Sequence, residues 1–476
     1  MPWEEERAAQ PDRLDKKRIA VLPFSNMSPD PADEYFADGL TEELISKLSL
    51  VKGLRVIART SVMNYKKRET RISEIGKELG VGSVVEGSVR KAGNKIRVTA
   101  QLIDVGTEEH LWASTYDKNL DDIFLVQSDL ASKIAQALPG SLAPPKTSQS
   151  ALGDTNNMTA YSYYLKGKQL INEGTDESLR RALELFTDAT KLAPPFARAY
   201  VAMGRCYAEL SIRSYISYDE GLSGMRSAAK KALEIDENLA EGHTLRAFVA
   251  WVEDDFSTDE LEAKRAIELN PNLAEAYETL AMLRATKGYL RESIELLEKA
   301  SLLDPLSSGI IRDLGVLYAY SERDQEALDL WNKNRKFAPT VVARTMARYY
   351  LSKNDVKNAE EQIRLLEPLA TADSATILLR GLLLAMKGDV KGAEKIVERL
   401  QREFQGGKEI LDRNIGYVRY LLGDTDAFFA AMLNAVENHV FDPIQLRYSP
   451  LFKQARQDPR YRELLVRNGL DPDVEE

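Results

Sequence analysis

NPNLAEAYETLAMLRATKGYLRESIELLEKASLLDP, residues 270–305, is the stretch whose reading decides the fold. Its periodicity is helical throughout, and a proline stands near each end. Pro271, Pro305 and Pro339 are separated by 34 and 34 residues, and Ala232, Ala266 and Ala300 keep the same step. A fixed step of this length in helical sequence describes a helix–turn–helix unit that cannot bury its apolar face alone and therefore stacks on its neighbours.

Outward from that stretch the same pattern recurs. Such a unit needs small residues where its two helices cross, a large apolar residue filling the gap, and a proline closing the second helix. Gly167, Ala182, Phe186, Ala189 and Pro194 supply these in a first unit; Gly204 with Tyr207, Ala281 with Leu280, and Gly315 with Tyr318, Ala327 and Trp331 supply them later. Weaker copies place Ala347 with Ala359, Gly381 with Ala393 and Gly416 with Ala435. The period is that of the tetratricopeptide repeat, a different helical-repeat family being the competing reading. About eight units fit residues 159–440, the second with an insertion near Ser211–Glu220, and residues 441–476 are expected to form a capping helix from Asp458-Pro459 and a tail.

Residues 18–138 read differently. RIAVLPF at 18–24 suits a buried strand stopped by Pro23. Asp30-Pro31 then opens an amphipathic helix with Phe36, Leu40, Leu44 and Leu48 on one face. LRVIAR from Leu54 is a second strand; Ile72, Ile75 and Leu79 mark a helix that Gly80 ends. SVVEGSVRK, KIRVTAQLIDV and EEHLWASTYD are β-rich runs, and a last helix runs from Asp121-Asp122 to about Leu138. The order β-α-β-α-β-β-β-α implies a small mixed-sheet α/β domain. The expected class is therefore a two-domain α+β/all-α chain: a polar segment at 1–17, the α/β domain at 18–138, a linker at 139–158, then a right-handed α-solenoid.

IAVLPF at 19–24, EYFADGLTEELI at 34–45, LRVIARTS at 54–61, IGKELGV at 75–81, VEGSVRK at 85–91 and RVTAQLID at 97–104 resemble the TolB-like amino-terminal domain. That resemblance implies a regulatory or scaffolding module fused to tetratricopeptide repeats, of the kind found behind class III adenylate cyclase, kinase or winged-helix domains. It implies no settled chemistry.

Little in the sequence points to catalysis. The net charge of −10 argues against a general attraction to nucleic acid or anionic membranes. Cys206 is the only cysteine, so neither a disulfide within the chain nor a thiolate cluster can form. No run approaches the roughly 18–20 apolar residues of a membrane span. His110, His243 and His439 lie far apart, without a second ligand at helical spacing. Gly80, Gly82 and Gly87 in GVGSVVEG match no phosphate-loop spacing. Asp38, Glu42 and Glu43 read as a solvated helix face. The expectation is a cytoplasmic, non-enzymatic protein without a cofactor, bound metal, nucleic-acid partner or membrane insertion.

The solenoid's concave face is where binding is expected. From the repeat register its inward residues include Tyr164, Lys168, Arg205, Phe248, Trp251, Met282, Arg312, Tyr320, Arg344, Arg348, Arg413 and Tyr417. Arginines and aromatics are the types enriched at binding hot spots. Their concentration in the later units of an acidic chain suggests a groove for an acidic or carboxylate-ended protein segment, against the simpler reading that each arginine pairs with a neighbouring carboxylate. The leading function is a protein-binding scaffold in bacterial or archaeal signalling. The competing one is a small-molecule or nucleotide sensor in the α/β domain. The sequence sets no oligomeric state and leaves room for a homodimer through the N-terminal domain.

Overall fold

A computed structural model describes residues 15–66, 68–138, 155–171, 175–213, 215–367, 374–403 and 408–474. The expected N-terminal segment, apart from residues 15–17, and linker residues 139–154 lie outside them. One sheet runs in the order β3 (Arg55–Val56), β1 (Arg18–Val21), β4 (Ser83–Ala92), β5 (Lys95–Asp104), β6 (His110–Asn119), and β2 (Ser25–Asn26) pairs with β4. β1 is parallel to β3 and β4, whereas β4–β5–β6 form an antiparallel meander. Ile19, Ala20 and Val21 are fully buried, as expected of a short continuous apolar run at the centre of a parallel segment. α1 (Glu34–Ser49), α2 (Arg59–Val62), α3 (Ile72–Leu79) and α4 (Ile123–Ala137) accompany the sheet. Gly80 takes the left-handed φ of 65° that ends α3, and Gly93 at φ 59° makes the β4–β5 turn.

The remainder is a tetratricopeptide-type α-solenoid, with eight hairpins among the described residues. The first four pair Met158–Ile171 with Asp176–Leu192, Ala197–Ile212 with Tyr218–Ile235, Ala240–Val252 with Phe256–Leu269, and Ala274–Lys287 with Leu290–Leu303. The other four pair Ser308–Tyr320 with Asp324–Asn334, Pro339–Ser352 with Val356–Leu366, Ser374–Met386 with Val390–Glu403, and Lys408–Leu421 with Thr425–Glu437. The repeat is visible in the backbone itself. Asp254, Gly288 and Glu322, 34 residues apart, each take a positive φ in the tight turn of hairpins 3, 4 and 5, as do Asn354, Gly388 and Gly423 in hairpins 6 to 8. At the crossing in hairpin 5, Gly315 has no room for a Cβ because the Trp331 indole fills the gap, the small-against-large pairing the sequence suggested.

Pro459–Arg467 packs on the last hairpin and ends at Gly469, φ 71°. The segment before it does more than cap an end. Pro443–Tyr448 and Pro450–Phe452 turn back along the first helices of hairpins 4 and 6. Asp254 in hairpin 3 bonds both His439 Nδ1, 2.6 Å, and Asn468 Nδ2, 2.8 Å. The Tyr448 hydroxyl donates to Ala285 O at 3.3 Å. The concave face thus carries part of the chain's own C-terminus.

Asp259, in hairpin 3, is fully buried, and neither carboxylate oxygen has a hydrogen-bond partner. Burial pushes its carboxyl up to about 8 from 3.8. The folded chain then holds a proton that the unfolded chain has released, so this group's contribution to stability is full below about pH 4 and is lost as pH rises to about 8. Asp259→Asn should remove this slope. In urea melts at successive pH values, the variant should gain on the wild type by up to about 1.4 kcal/mol per pH unit across that window.

Candidate functional site: the junction of the α/β domain and the solenoid

The α/β domain does not hang from the solenoid on a linker; it is seated on it. At Gly39 a Cβ would collide with Leu165 of the first hairpin, so α1 lies directly against that helix. Tyr35, Phe36, Leu40, Tyr161, Tyr164, Phe186 and Phe196 belong to one continuous core. The hydroxyl of Ser162 meets that of Tyr35 at 3.1 Å across the boundary.

The turns between hairpins supply the polar contacts. Asn272 Nδ2 donates to Ser49 O at 2.7 Å and to Leu54 O at 2.9 Å, while its Oδ1 accepts from Val56 N at 3.2 Å. One side chain thereby satisfies backbone at the β3 edge, which would otherwise be open. Asn270 donates to Ser49 Oγ at 3.2 Å, Ala58 N to Leu303 O at 2.9 Å, and Arg18 to Leu302 O at 2.6 Å. Ser61 Oγ donates to Asp304 and accepts from Leu306 N at 2.8 Å. Lys336 pairs with Glu78, and the Arg68 guanidinium lies 5.4 Å above the Phe337 ring.

Ser61 is therefore a two-sided link. Burial raises the Asp304 carboxyl to about 6, with the Ser61 hydroxyl opposing the rise. Ser61→Ala would take one donor from that carboxylate, which keeps Thr60 and the Ser61 backbone, and would leave the Leu306 N–H without its acceptor. The expected loss is about 1–3 kcal/mol of unfolding free energy, read from the urea midpoint, with Ser61→Thr losing less.

The acidic residues of α1 turn out not to be a solvated face. Asp38 and Glu43 are buried. Asp38 accepts from Lys66 Nζ at 2.6 Å; Arg198 Nη1 donates to both Glu43 oxygens at 2.7 Å; Glu42 takes Lys168 and lies 3.4 Å from Arg59 Nε. Glu42 and Glu43, which looked like surface charge, are the electrostatic part of the junction, and Asp38 is paired within the α/β domain. Their spacing was visible in the sequence, but their cationic partners come from Lys66, Lys168 and Arg198.

Beside these pairs lies a cavity of about 330 Å3, walled by α1, the start of α2 and the first helices of hairpins 1 to 4. Lys168 and Arg205, two of the expected groove residues, line it together with Arg59, Tyr164, Arg198, Glu241 and Glu275. Arg205 pairs with Glu275, and Lys168 also sits 5.4 Å above the Tyr164 ring. Burial, then the Arg205 and Arg198 charges, hold the Lys168 ammonium well below its usual range.

The other expected groove residues fall elsewhere. Phe248 and Trp251 stack at 6.0 Å and line a second cavity, about 180 Å3, whose far side is His439, Val440 and Phe441. Met282 packs half-buried against the core of hairpins 4 and 5. Arg312 forms a two-pronged pair with Asp313, at 2.6 and 2.9 Å. Tyr320 lies 6.1 Å from the Tyr448 ring. Arg413 donates to Val440 O, and Tyr417, fully inside, stacks near Phe452 at 5.0 Å. Arg344 is half-buried on the same helix as Arg348, and Arg348 is exposed to the channel but ringed by Tyr320, Tyr417, Arg413 and Asp442. Arg348 faces Asp442 of the chain's own C-terminal segment, and Arg312 faces Asp313 first, then Glu278 and Asp442.

Among the described residues no three His, Cys, Asp or Glu side chains are grouped to hold a metal, and no helix is long and apolar enough to cross a membrane. Residues 15–137, the stretch resembling the TolB-like domain, match the family model described as HilA/YgeH-like transcriptional regulator, second domain. The chain is 36% identical over 243 residues to "Putative adenylate cyclase 3" of Rhizobium meliloti; the match takes in 50% of this chain and 41% of that protein, so the chain spans less than half of that relative's length. It is 22% identical over 456 residues to the transcriptional regulator HilA of Salmonella typhimurium, covering 94% of this chain and 78% of HilA. Among solved structures, a tetratricopeptide repeat protein from Parabacteroides merdae aligns at 14% identity and a TM-score of 0.39, over 57% of this chain and 100% of that one.

Proposed function

We propose that this chain is a non-enzymatic regulatory module of a bacterial or archaeal signalling or transcription-control system, working in the cytoplasm. Its repeat channel holds an acidic segment of a partner protein. The observation that carries the reading is the arginine cluster of the channel: Arg348 lies among Asp442, Tyr320, Tyr417 and Arg413, Arg312 feels Asp442 after Asp313 and Glu278, and Arg348 has no ion-pair partner among the described residues. A cationic, solvent-reachable group such as Arg348, with Asp442 as its internal carboxylate, is chemically suited to a further one. The relatives support the regulatory part. One carries a cyclase name and one a transcriptional-regulator name, so what both share with this chain is better read as control than as output.

The test is partner capture from the source organism by the full chain, with in-cell crosslinking and quantification. Arg348→Glu combined with Arg312→Glu should reduce recovery of the captured protein by roughly tenfold, about 1.4 kcal/mol of binding. Undiminished recovery from a variant with unchanged circular dichroism would overturn the channel as the binding site.

A further inference from the structure

The cavity at the domain junction contains two charged groups that the fold leaves without hydrogen bonds. Arg59 is the first. Its Nε is buried and has no hydrogen-bond partner, and its one ion-pair contact, to Glu42 at 3.4 Å, is shared with Lys168. A guanidinium has five N–H donors, and burying it unsatisfied is costly. Glu241 is the second: a half-buried carboxylate on the cavity wall contributed by hairpin 3, with no hydrogen bond or ion pair to any described residue. The other charges there are matched, Arg198 with Glu43 and Arg205 with Glu275.

We propose that this cavity binds a small zwitterion of the α-amino-acid class, its carboxylate taken by Arg59 and its ammonium by Glu241. The volume, about 330 Å3, lies at the small end of ligand pockets. A planar guanidinium with free N–H groups is the geometric match for a carboxylate. A simple dianion would meet Glu241 and Glu275 in the same lining, and a simple cation would meet Arg59 and Lys168; a ligand carrying both charges suits a lining of both signs. Lys168, held low by burial first and by Arg205 and Arg198 after it, points the same way, because a carboxylate arriving beside it offsets both. Ser46 offers a hydroxyl along the wall from the α/β domain, and the Tyr164 ring closes the solenoid side. Both domains would touch the ligand, so occupancy would tighten their docking and raise the melting temperature in proportion to the logarithm of ligand concentration.

The experiment uses the full chain in thermal-shift and calorimetric titrations with the individual protein amino acids. Acetate, methylamine and inorganic phosphate serve as carboxylate-only, amine-only and dianion probes. One amino acid, or a chemically related few, should raise the melting temperature at millimolar concentration while the three probes do not. Affinity should fall about tenfold or more in both Glu241→Gln and Arg59→Gln. Glu241 makes no hydrogen bond or ion pair to a described residue and acts on Lys168 and Arg205 through charge alone, so urea melts of Glu241→Gln beside the titrations separate ligand contact from stability. No shift with any amino acid, binding of phosphate alone, or amino-acid affinity unchanged in Glu241→Gln would each overturn the proposal. Partner capture is read independently, so failure of either result leaves the other intact.

Discussion

Replacing Arg198 by methionine should cost about 3–5 kcal/mol of unfolding free energy, the largest loss expected from any single charge in the molecule. The reason lies in what remains. Glu43 is 3% exposed, and each of its oxygens accepts from Arg198 Nη1 at 2.7 Å. With the guanidinium gone, a buried carboxylate at the boundary between α1 and hairpin 2 loses these two charge-assisted hydrogen bonds. Two measurements separate this from a loss of packing. Guanidinium-chloride melts followed by circular dichroism should show a lowered midpoint for Arg198→Met, and the double variant Glu43→Gln with Arg198→Met should recover most of it, since a neutral amide no longer needs a counter-charge. A double variant as unstable as the single one would mean that the arginine acts through its methylenes alone.

The second large effect concerns the solenoid. Trp331 is fully buried, packs into the notch at Gly315 and meets the Tyr349 ring edge-on at 5.5 Å. Trp331→Ala should lose about 3–5 kcal/mol, because helices held apart by other side chains cannot close on so large a void. Trp331→Phe should lose much less. The indole Nε1 has no hydrogen-bond partner, so the phenyl ring gives up some volume while removing an unsatisfied buried N–H. Equal losses for the two variants in chemical melts would contradict the packing described at this crossing.

How much of this was legible in the sequence depends on how local each feature is. The hairpins were legible because the 34-residue step sets Pro271, Pro305 and Pro339 at equivalent turns and small residues at equivalent crossings. The α/β elements were legible for the same reason: Phe36, Leu40, Leu44 and Leu48 fix one helix face by themselves. The junction was not. Asn272 reads as a turn residue beside a proline, yet its side chain completes the edge of a strand 216 residues earlier. Asp38, Glu42 and Glu43 read as surface charge, because nothing near them in sequence names Lys66, Lys168 and Arg198 as partners. The repeat register set Arg312 and Arg348 among the expected inward residues. It carried no information about Asp442, which reaches them from the C-terminal segment that folds back into the channel.

The account's central claim is that the α/β domain and the solenoid are clamped together through side chains of the inter-hairpin turns. Residue-resolved hydrogen exchange tests it most directly at the Val56 and Ala58 amides, which donate to Asn272 Oδ1 and Leu303 O and to nothing within their own sheet. The account predicts that both are strongly protected in the full chain and that Asn272→Ala exposes Val56. Exchange at both positions as fast as in an open strand edge, in the wild type, would contradict it.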